Sequence, residues 1–269
     1  MTSRAPHASR TFLWHSLPLG VLTVLALLST VGKGNPARLS LADSWALPSA
    51  AHWLGCAEGG IDVASFLGHA VLRVLGLSVC VALIGALIGV PLGAAAVLAR
   101  GVLERWLLRA CDLVQAFPTF LLALAVLTAV SIPTRLDLCW VFSLTTWASF
   151  ARLTVVHARW LSDADFVIAA RCLGASGTRL ARAHVVPHLF GPVAVQIGTS
   201  AAGVVLGESA LGFVGLGPSD GVSLGVLLEQ GTVGMLRSPH VLLASAVAVA
   251  ATMGALQLVS EGLRRWLLD

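Results

Sequence analysis

The chain has 269 residues, of which 57% are apolar and only 11% charged, whereas a water-soluble globular domain carries about 25% Asp, Glu, Lys and Arg. Too few charges remain to cover the surface of a soluble protein of this length, which excludes the ordinary soluble enzyme or binding module and leaves a membrane protein. The formal net charge of +4 is informative only through where the basic residues fall.

Stretches free of charge run over 11–31, 74–99, 113–134, 138–151, 183–207 and 238–260. All but the fourth reach the ~20 residues that a helix needs to cross the hydrocarbon. The fourth is interrupted by Arg152, whose stem can stay in lipid while its guanidinium extends to the interface, so a span over 138–156 is expected there. The sequence thus predicts an all-α polytopic protein with six spans, over 11–31, 74–99, 113–134, 138–156, 187–207 and 238–260. They form a single transmembrane domain over 1–269, with a polar loop over 157–186.

Arg4 and Arg10 precede the first span as they would precede a signal peptide. Its 21 residues exceed the roughly 7–15 of a signal-peptide core, and no clear A-x-A site follows, so a retained span is expected. The loop over 32–68 contains Pro36, Pro48 and several glycines, and is too short and turn-rich for a separate domain. In the second span Gly85, Gly89 and Gly93 recur every fourth residue, with Pro91 in the same turn. This stripe fits close packing of another helix, or a broken helix that binds substrate. Asp112 is expected at the start of the third span, where a negative charge suits a helix N-terminus. Cys56, Cys80, Cys111, Cys139 and Cys172 include no CxxC pair, which argues against a disulfide framework or zinc site. Cys56 and Cys139 fall on one side of the membrane, free or paired.

The side holding both termini carries Arg4, Arg10, Arg100, Arg105, Arg109, Arg152, Arg159, Arg171, Arg179, Arg182, Arg264 and Arg265, 12 basic residues against 5 on the other side, Lys33, Arg38, Arg73, Arg135 and Arg237. The positive-inside rule then places both termini in the cytoplasm. These arginines sit in short loops without interleaved aromatics, so nucleic acid is not the expected partner.

The longest charged segment between spans, about 157–187, predicts two short helices at the membrane surface. Ser162 with Asp165 resembles a capping box, and Asp163 and Asp165 put negative charge at a helix start. Phe166, Ala169, Ala170 and Leu173 share one face with Arg171 off it, and Gly174 ends the helix. Ser176 or Thr178 then caps a second helix carrying Arg179 and Arg182, and Pro187 opens the fifth span. Such a hairpin suits docking to a protein or lying on lipid headgroups equally well.

FVIAARCLGASGTRLARAHVVPHL (166–189) resembles the EAA loop of ABC importer permeases in their dipeptide, oligopeptide and nickel branch. HWLGCAEGGID (52–62), GVPLG (89–93), AFPTFLLAL (116–124), GESALGFVGLG (207–217) and SLGVLLEQG (223–231) resemble further motifs of that branch, in the same order. The resemblance covers about 50–265. It implies the type I permease fold and a place in the bacterial cytoplasmic membrane. It also implies a second permease, two ATPase subunits and an extracytoplasmic solute-binding protein as partners, and a peptide or a nickel chelate as cargo. By the same resemblance Asp165, Phe166, Ile168, Ala169, Ala170, Arg171, Leu173 and Gly174 form the helix that couples to the ATPase, and Glu208 occupies the branch's AE position. The sequence departs from the pattern at Ile168, where the family has Glu, at Ile61, where it has Arg, and at Trp53, where it has Pro.

A Walker A loop needs a Lys followed by Ser or Thr. The only lysine is Lys33, followed by Gly34, so ATP and Mg are expected on separate ATPase subunits and no cofactor on this chain. Two other classes compete. GASG at 174–177 resembles the nucleophile motif of rhomboid intramembrane proteases, but Ser176 lies between Arg171 and Arg179 in a polar loop, and His240 is expected a membrane thickness away. An ion-coupled secondary transporter would need ionisable residues at the midplane of its spans, which are almost free of them. His184 and His188 are spaced i, i+4, but Pro187 interrupts the turn and no HExxH is formed, so no metal site is expected. A buried Glu208 would need a helix terminus or an Arg such as Arg237, and serves either an interface or the cargo.

Overall fold

The computed structural model describes residues 5–31, 36, 38–99, 101–162, 164–174, 179 and 186–268. Among these residues the chain is helical, and its one extended pairing is an isolated antiparallel bridge between Cys56 and Asp62. The helices in chain order are α1 (Ala5–Thr30), α2 (Val63–Ala99), α3 (Val102–Ala116), α4 (Thr119–Thr128), α5 (Arg135–Ser162), α6 (Asp165–Cys172), α7 (Val186–Phe213), α8 (Leu224–Val233) and α9 (Pro239–Leu268). Five of them, α1, α2, α5, α7 and α9, are long and apolar enough to cross a membrane. The pair α3 and α4, taken as one span bent by 69°, makes six.

The third span departs most from expectation. In place of a straight helix over 113–134, the chain runs through α3 and α4 from Val102 to Thr128. Its charges do not stay outside the bundle. Glu104 pairs with Arg159 at 2.6 Å, and Asp112 pairs with Arg152, both across the α3–α5 contact. Asp112 therefore sits inside α3 rather than at a helix start, and Arg152 meets a carboxylate instead of reaching for headgroups. The bend follows from Pro118, which lacks an N–H and forces the residue before it out of the helical region, so that Phe117 is extended at φ −95°, ψ 129°. A paired charge explains the longer α2 too. Helix α2 starts at Val63 and carries Arg73 inside it, and Arg73 Nη1 donates to Asp220 Oδ2 at 2.8 Å. Helix α7 runs on through Glu208 to Phe213.

Packing is tightest where side chains are smallest. An added Cβ at Gly85 would stand 2.7 Å from Thr146 Cγ2, at Gly89 2.3 Å from the Trp147 carbonyl oxygen, and at Gly93 2.6 Å from the Ala151 carbonyl oxygen. Backbones of α2 and α5 thus meet along the whole glycine stripe. Gly198 of α7 lies against Ser260 and Leu256 of α9 in the same way. Helix α8 folds back between α7 and α9. Ser223 caps it by accepting from the Gly225 N–H at 3.1 Å, Gly225 rests on the Ser209 carbonyl, and Gly231 rests on Leu242. Helix α1 is peripheral, touching α2 where Gly68 meets the Ala26 carbonyl, with little of its apolar surface covered by protein.

Over one end of the bundle lies the segment before α2. His52 Nδ1 and Asp62 Oδ2 are 2.7 Å apart, and Asp62 Oδ1 accepts from the Ser65 N–H at 2.8 Å. The first and last residues of HWLGCAEGGID thus close on each other and cap α2. Between them Gly55, at φ +73°, lies against the Ala46 carbonyl and the His240 ring. Cys56 is buried in this segment and Cys139 lies on α5, and no disulfide joins the two.

Candidate functional site

A groove of about 380 Å³ opens between the α3–α4 bend, α5 and α7. Its lining includes Gln115, Thr145, Thr146, Ser149, Gln196 and Thr199, all polar and none charged. The hydroxyls of Thr145, Thr146 and Thr199 are satisfied within their own helices. Thr145 and Thr146 donate to the Phe142 carbonyl at 3.1 and 2.7 Å, and Thr199 donates to the Val195 carbonyl at 3.1 Å. Gln115 Nε2 donates to Ser149 Oγ at 3.3 Å, and Gln196 Nε2 to Ser200 Oγ at 3.1 Å. Hydroxyls bonded to their own helix leave lone pairs free toward the groove without leaving a donor stranded. Thr119, Phe142 and Gly203 then border a second space that is apolar, walled by Phe120, Leu206 and Ala210. Gly203 is exposed, and a Cβ added there meets nothing within 4 Å.

Sequence reasoning did not bring these residues together. A hydroxyl costs little hydropathy and leaves a charge-free stretch unbroken. The available signal was spacing. Residues 145, 146 and 149 on one helix and 196, 199 and 200 on another each form a short i, i+3/i+4 polar stripe.

Glu208 lies outside the groove. It is 1% exposed, and its Oε2 has no hydrogen-bond partner among the described residues. Its polar neighbours are Ser223 and Arg135, not Arg237. Arg135 itself grips Asp220 through Nη2, at 2.9 Å to Oδ1 and 3.0 Å to Oδ2, and donates to the Val222 carbonyl at 2.8 Å. With Arg73 on the same carboxylate, the loop between α7 and α8 is tied to both α2 and α5. Gly85, Gly89 and Gly93 sit in the α2–α5 seam, away from the groove.

Helix α6 stands at the opposite end. Ser162, the expected capping residue, is the last residue of α5, and the Ala164 carbonyl accepts from the Val167 and Ile168 N–H groups at 2.9 and 3.1 Å. Asp165 opens the helix, where its charge complements the helix dipole. Val167, 1% exposed, anchors it to the bundle, with Ala170 half-buried on the same side. Phe166, Ile168, Ala169 and Leu173 are exposed to different degrees, so the expected face of Phe166, Ala169, Ala170 and Leu173 splits: Ala170 turns inward, Ala169 and Leu173 face outward, and Phe166 is partly exposed. The Phe166 ring stacks on His188 of α7 at 5.7 Å. Arg171 lies on α6, and Gly174 follows it at φ +84° with open space around it. Ala175, Ser176, Gly177 and Thr178, with Arg182 and His184, lie outside the described residues, and with them most of the second expected helix and the GASG motif. Among the described residues no group of three metal-ligating side chains is placed to hold an ion.

A helical bundle with a broken third span, a groove along α7 and a short exposed helix between α5 and α7 defines a membrane permease. Residues 85–268 match the family described as "binding-protein-dependent transport system inner membrane component", and the chain belongs to that family. It is 32% identical over 224 residues to the glutathione transport system permease protein GsiD of Escherichia coli O6:K15:H31, covering 81% of this chain and 72% of the relative. It is 28% identical over 218 residues to GsiD of Pectobacterium atrosepticum, with the same coverage of 81% and 72%. A Brucella suis permease protein named for peptide transport is 27% identical over 266 residues, 98% of this chain and 89% of the relative. The chain is thus a non-catalytic permease subunit of a binding-protein-dependent ABC importer, which works with an ATPase and a solute-binding protein in the membrane. Neither the protease nor the secondary-transporter alternative finds support among its relatives.

Proposed function

We infer that this permease carries small peptides along the α3–α5–α7 groove, and that α6 is the helix on which its ATPase acts. The observation that carries the reading is the chemistry of the groove. The side-chain amides of Gln115 and Gln196 and the hydroxyls of Thr145, Thr146, Ser149 and Thr199 offer donors and acceptors in the pattern that peptide groups need. Imidazole, thiolate and carboxylate groups are absent from that lining, which favours a peptide over a nickel chelate. The relatives named for glutathione and peptide transport support the same cargo class.

The groove is open along α7, and a second permease closes it. Two ATPase subunits hold ATP and Mg, and the exposed Phe166, Ile168, Ala169 and Leu173 rest in a groove on one of them, with Asp165 and Arg171 at its rim. Only two residues separate α5 from α6, and Phe166 stacks on α7. A push on α6 therefore moves the two helices that wall the groove. The charge asymmetry puts α6 and both termini in the cytoplasm. Cysteines at Arg105 and Thr178 are expected to react with an impermeant thiol reagent only from the cytoplasmic side, and one at the exposed Glu58 only from outside. Labelling at Thr178 from outside reverses the orientation. Gly85, Gly89 and Gly93 serve helix packing, and Glu208 serves the structure around α8.

The direct test is uptake of a labelled tripeptide by cells expressing the whole importer. Gly203→Leu places a side chain in the groove where nothing else is displaced, so uptake is expected to fall to background at normal membrane abundance. Undiminished uptake places the cargo path elsewhere.

A further inference from the structure

Arg105 and Arg109 have no assigned role in transport and no carboxylate partner among the described residues. The other two charged groups of α3, the buried Glu104 and the exposed Asp112, pair with Arg159 and Arg152 of α5. Arg105 Nε donates only to the Gly101 carbonyl, at 3.3 Å, and the Arg109 guanidinium lies 5.5 Å from the centre of the Trp106 ring. Together with Val102 these three side chains enclose a concavity of about 180 Å³. Val102, Arg105, Trp106, Arg109 and Leu113 follow i, i+3, i+4 spacing, so they form one exposed stripe on the side of α3 away from Glu104 and the buried Cys111.

The depth of this stripe in the membrane can be read from the tryptophans. Trp14, Trp106, Trp160 and Trp266 are all exposed at the end of the bundle that carries α6, while Trp53 and Trp140 are exposed at the other end. Tryptophans gather at the headgroup layer, where the ring sits among acyl chains and the indole N–H is wet. The two guanidinium groups are therefore held at phosphate depth, facing lipid. An uncompensated pair of arginines there, with a Trp and two aliphatic side chains beside them, matches a ligand that is anionic at one end and apolar at the other.

We propose that the Arg105–Trp106–Arg109 concavity is a binding site for an anionic phospholipid such as phosphatidylglycerol. The two guanidinium groups take its phosphate oxygens, and an acyl chain lies along Trp106, Val102 and Leu113. A guanidinium fork suits phosphate oxygens in a way that an ammonium does not. Because α3 pairs with α5 through Arg152 and Arg159, the lipid would brace one wall of the groove from outside.

The test uses the purified full-length chain in a zwitterionic detergent, titrated with brominated phosphatidylglycerol or brominated phosphatidylcholine, with quenching of tryptophan fluorescence as the readout. Each arginine near an anionic lipid surface contributes a factor of about five, so the pair gives phosphatidylglycerol an advantage of roughly 25-fold. That preference is expected to vanish in R105Q/R109Q and to persist largely in R105K/R109K, which keeps the charge and controls for loss of fold. The other exposed tryptophans are quenched alike by both lipids, so only the extra quenching by phosphatidylglycerol is expected to disappear in W106F. Equal quenching by the two lipids in the native chain, or a preference that survives R105Q/R109Q, overturns the proposal. Displacement of the lipid by an excess of inorganic phosphate assigns the site to a free anion and overturns it as a lipid site. Loss of ATPase pull-down in R105Q/R109Q with lipid preference intact makes the pair a protein contact instead.

Discussion

Helix α5 presents two faces that solve opposite problems. Toward α2 it offers the Trp147 and Ala151 carbonyls and the flanks of Phe150 and Thr154, and the glycine stripe meets them with no side chain between. Toward α3 and α7 it offers Thr145, Thr146 and Ser149 across an open groove. In lipid the hydrophobic effect does little to hold helices together, so the first face depends on close contact over many atoms. The second must stay apart and wet, and hydroxyls bonded to their own helix do that at small cost. A glycine means different things on the two sides. Gly89 is required because a backbone lies against it, whereas Gly203 leaves a space unfilled.

Five substitutions would sharpen or break that contrast. Gly89→Leu is expected to have the largest effect, because even its Cβ overlaps the Trp147 carbonyl. Loss of about 3 kcal/mol or more should abolish a monodisperse peak in detergent gel filtration. Gly203→Leu should leave that peak and the thermal midpoint unchanged while removing uptake, and equal destabilisation by the two would erase the distinction. Next comes Arg135→Ala at the start of α5, which leaves Asp220 with Arg73 alone and takes the cation from beside buried Glu208. Because the Arg135–Asp220 pair is partly exposed, about 1–3 kcal/mol is expected, seen as a lowered midpoint in a thermal-shift assay. Gly174→Val is smaller for the fold. The backbone at φ +84° resists a β-branched residue by about 1–2 kcal/mol, but nothing surrounds it. Its expected effect is weaker pull-down of the ATPase through a misdirected exit from α6. Ile168→Ala should be mildest, since it removes only half-exposed apolar area at a position where the family carries Glu. A silent Gly174→Val beside a dead Ile168→Ala would overturn this account of the docking helix.

Composition and charge-free runs were enough to indicate an all-helical protein with five or six crossings, and the motif order was enough to place the family. Helix ends were not legible that way. Arg73, Asp112, Arg152 and Glu208 each interrupt a hydrophobic run, yet each lies inside a helix because a partner or burial within the bundle accommodates its charge. Their partners are far away in sequence, so no local window contains both members of a pair. The bend at Phe117–Pro118 was signalled by the proline and passed over because the run around it is apolar throughout. For the docking helix, the pattern identified the residues but not which way they face. Val167 and Ala170 turn in and Ile168 turns out, and that is decided by packing against the bundle rather than by any periodicity of an eight-residue helix.

The Arg73–Asp220–Arg135 clasp has a consequence in time. Its acid lies 147 residues after one arginine and 85 after the other, so while the chain is being synthesised both arginines enter the membrane surface before their counter-charge exists. The glycine seam between α2 and α5 has no such delay, because both of its helices have emerged before α7 begins. The α2–α5 seam is therefore available to form before the clasp can close, and a chain truncated before Asp220 would keep both halves of the seam but carry two unneutralised arginines at its edge.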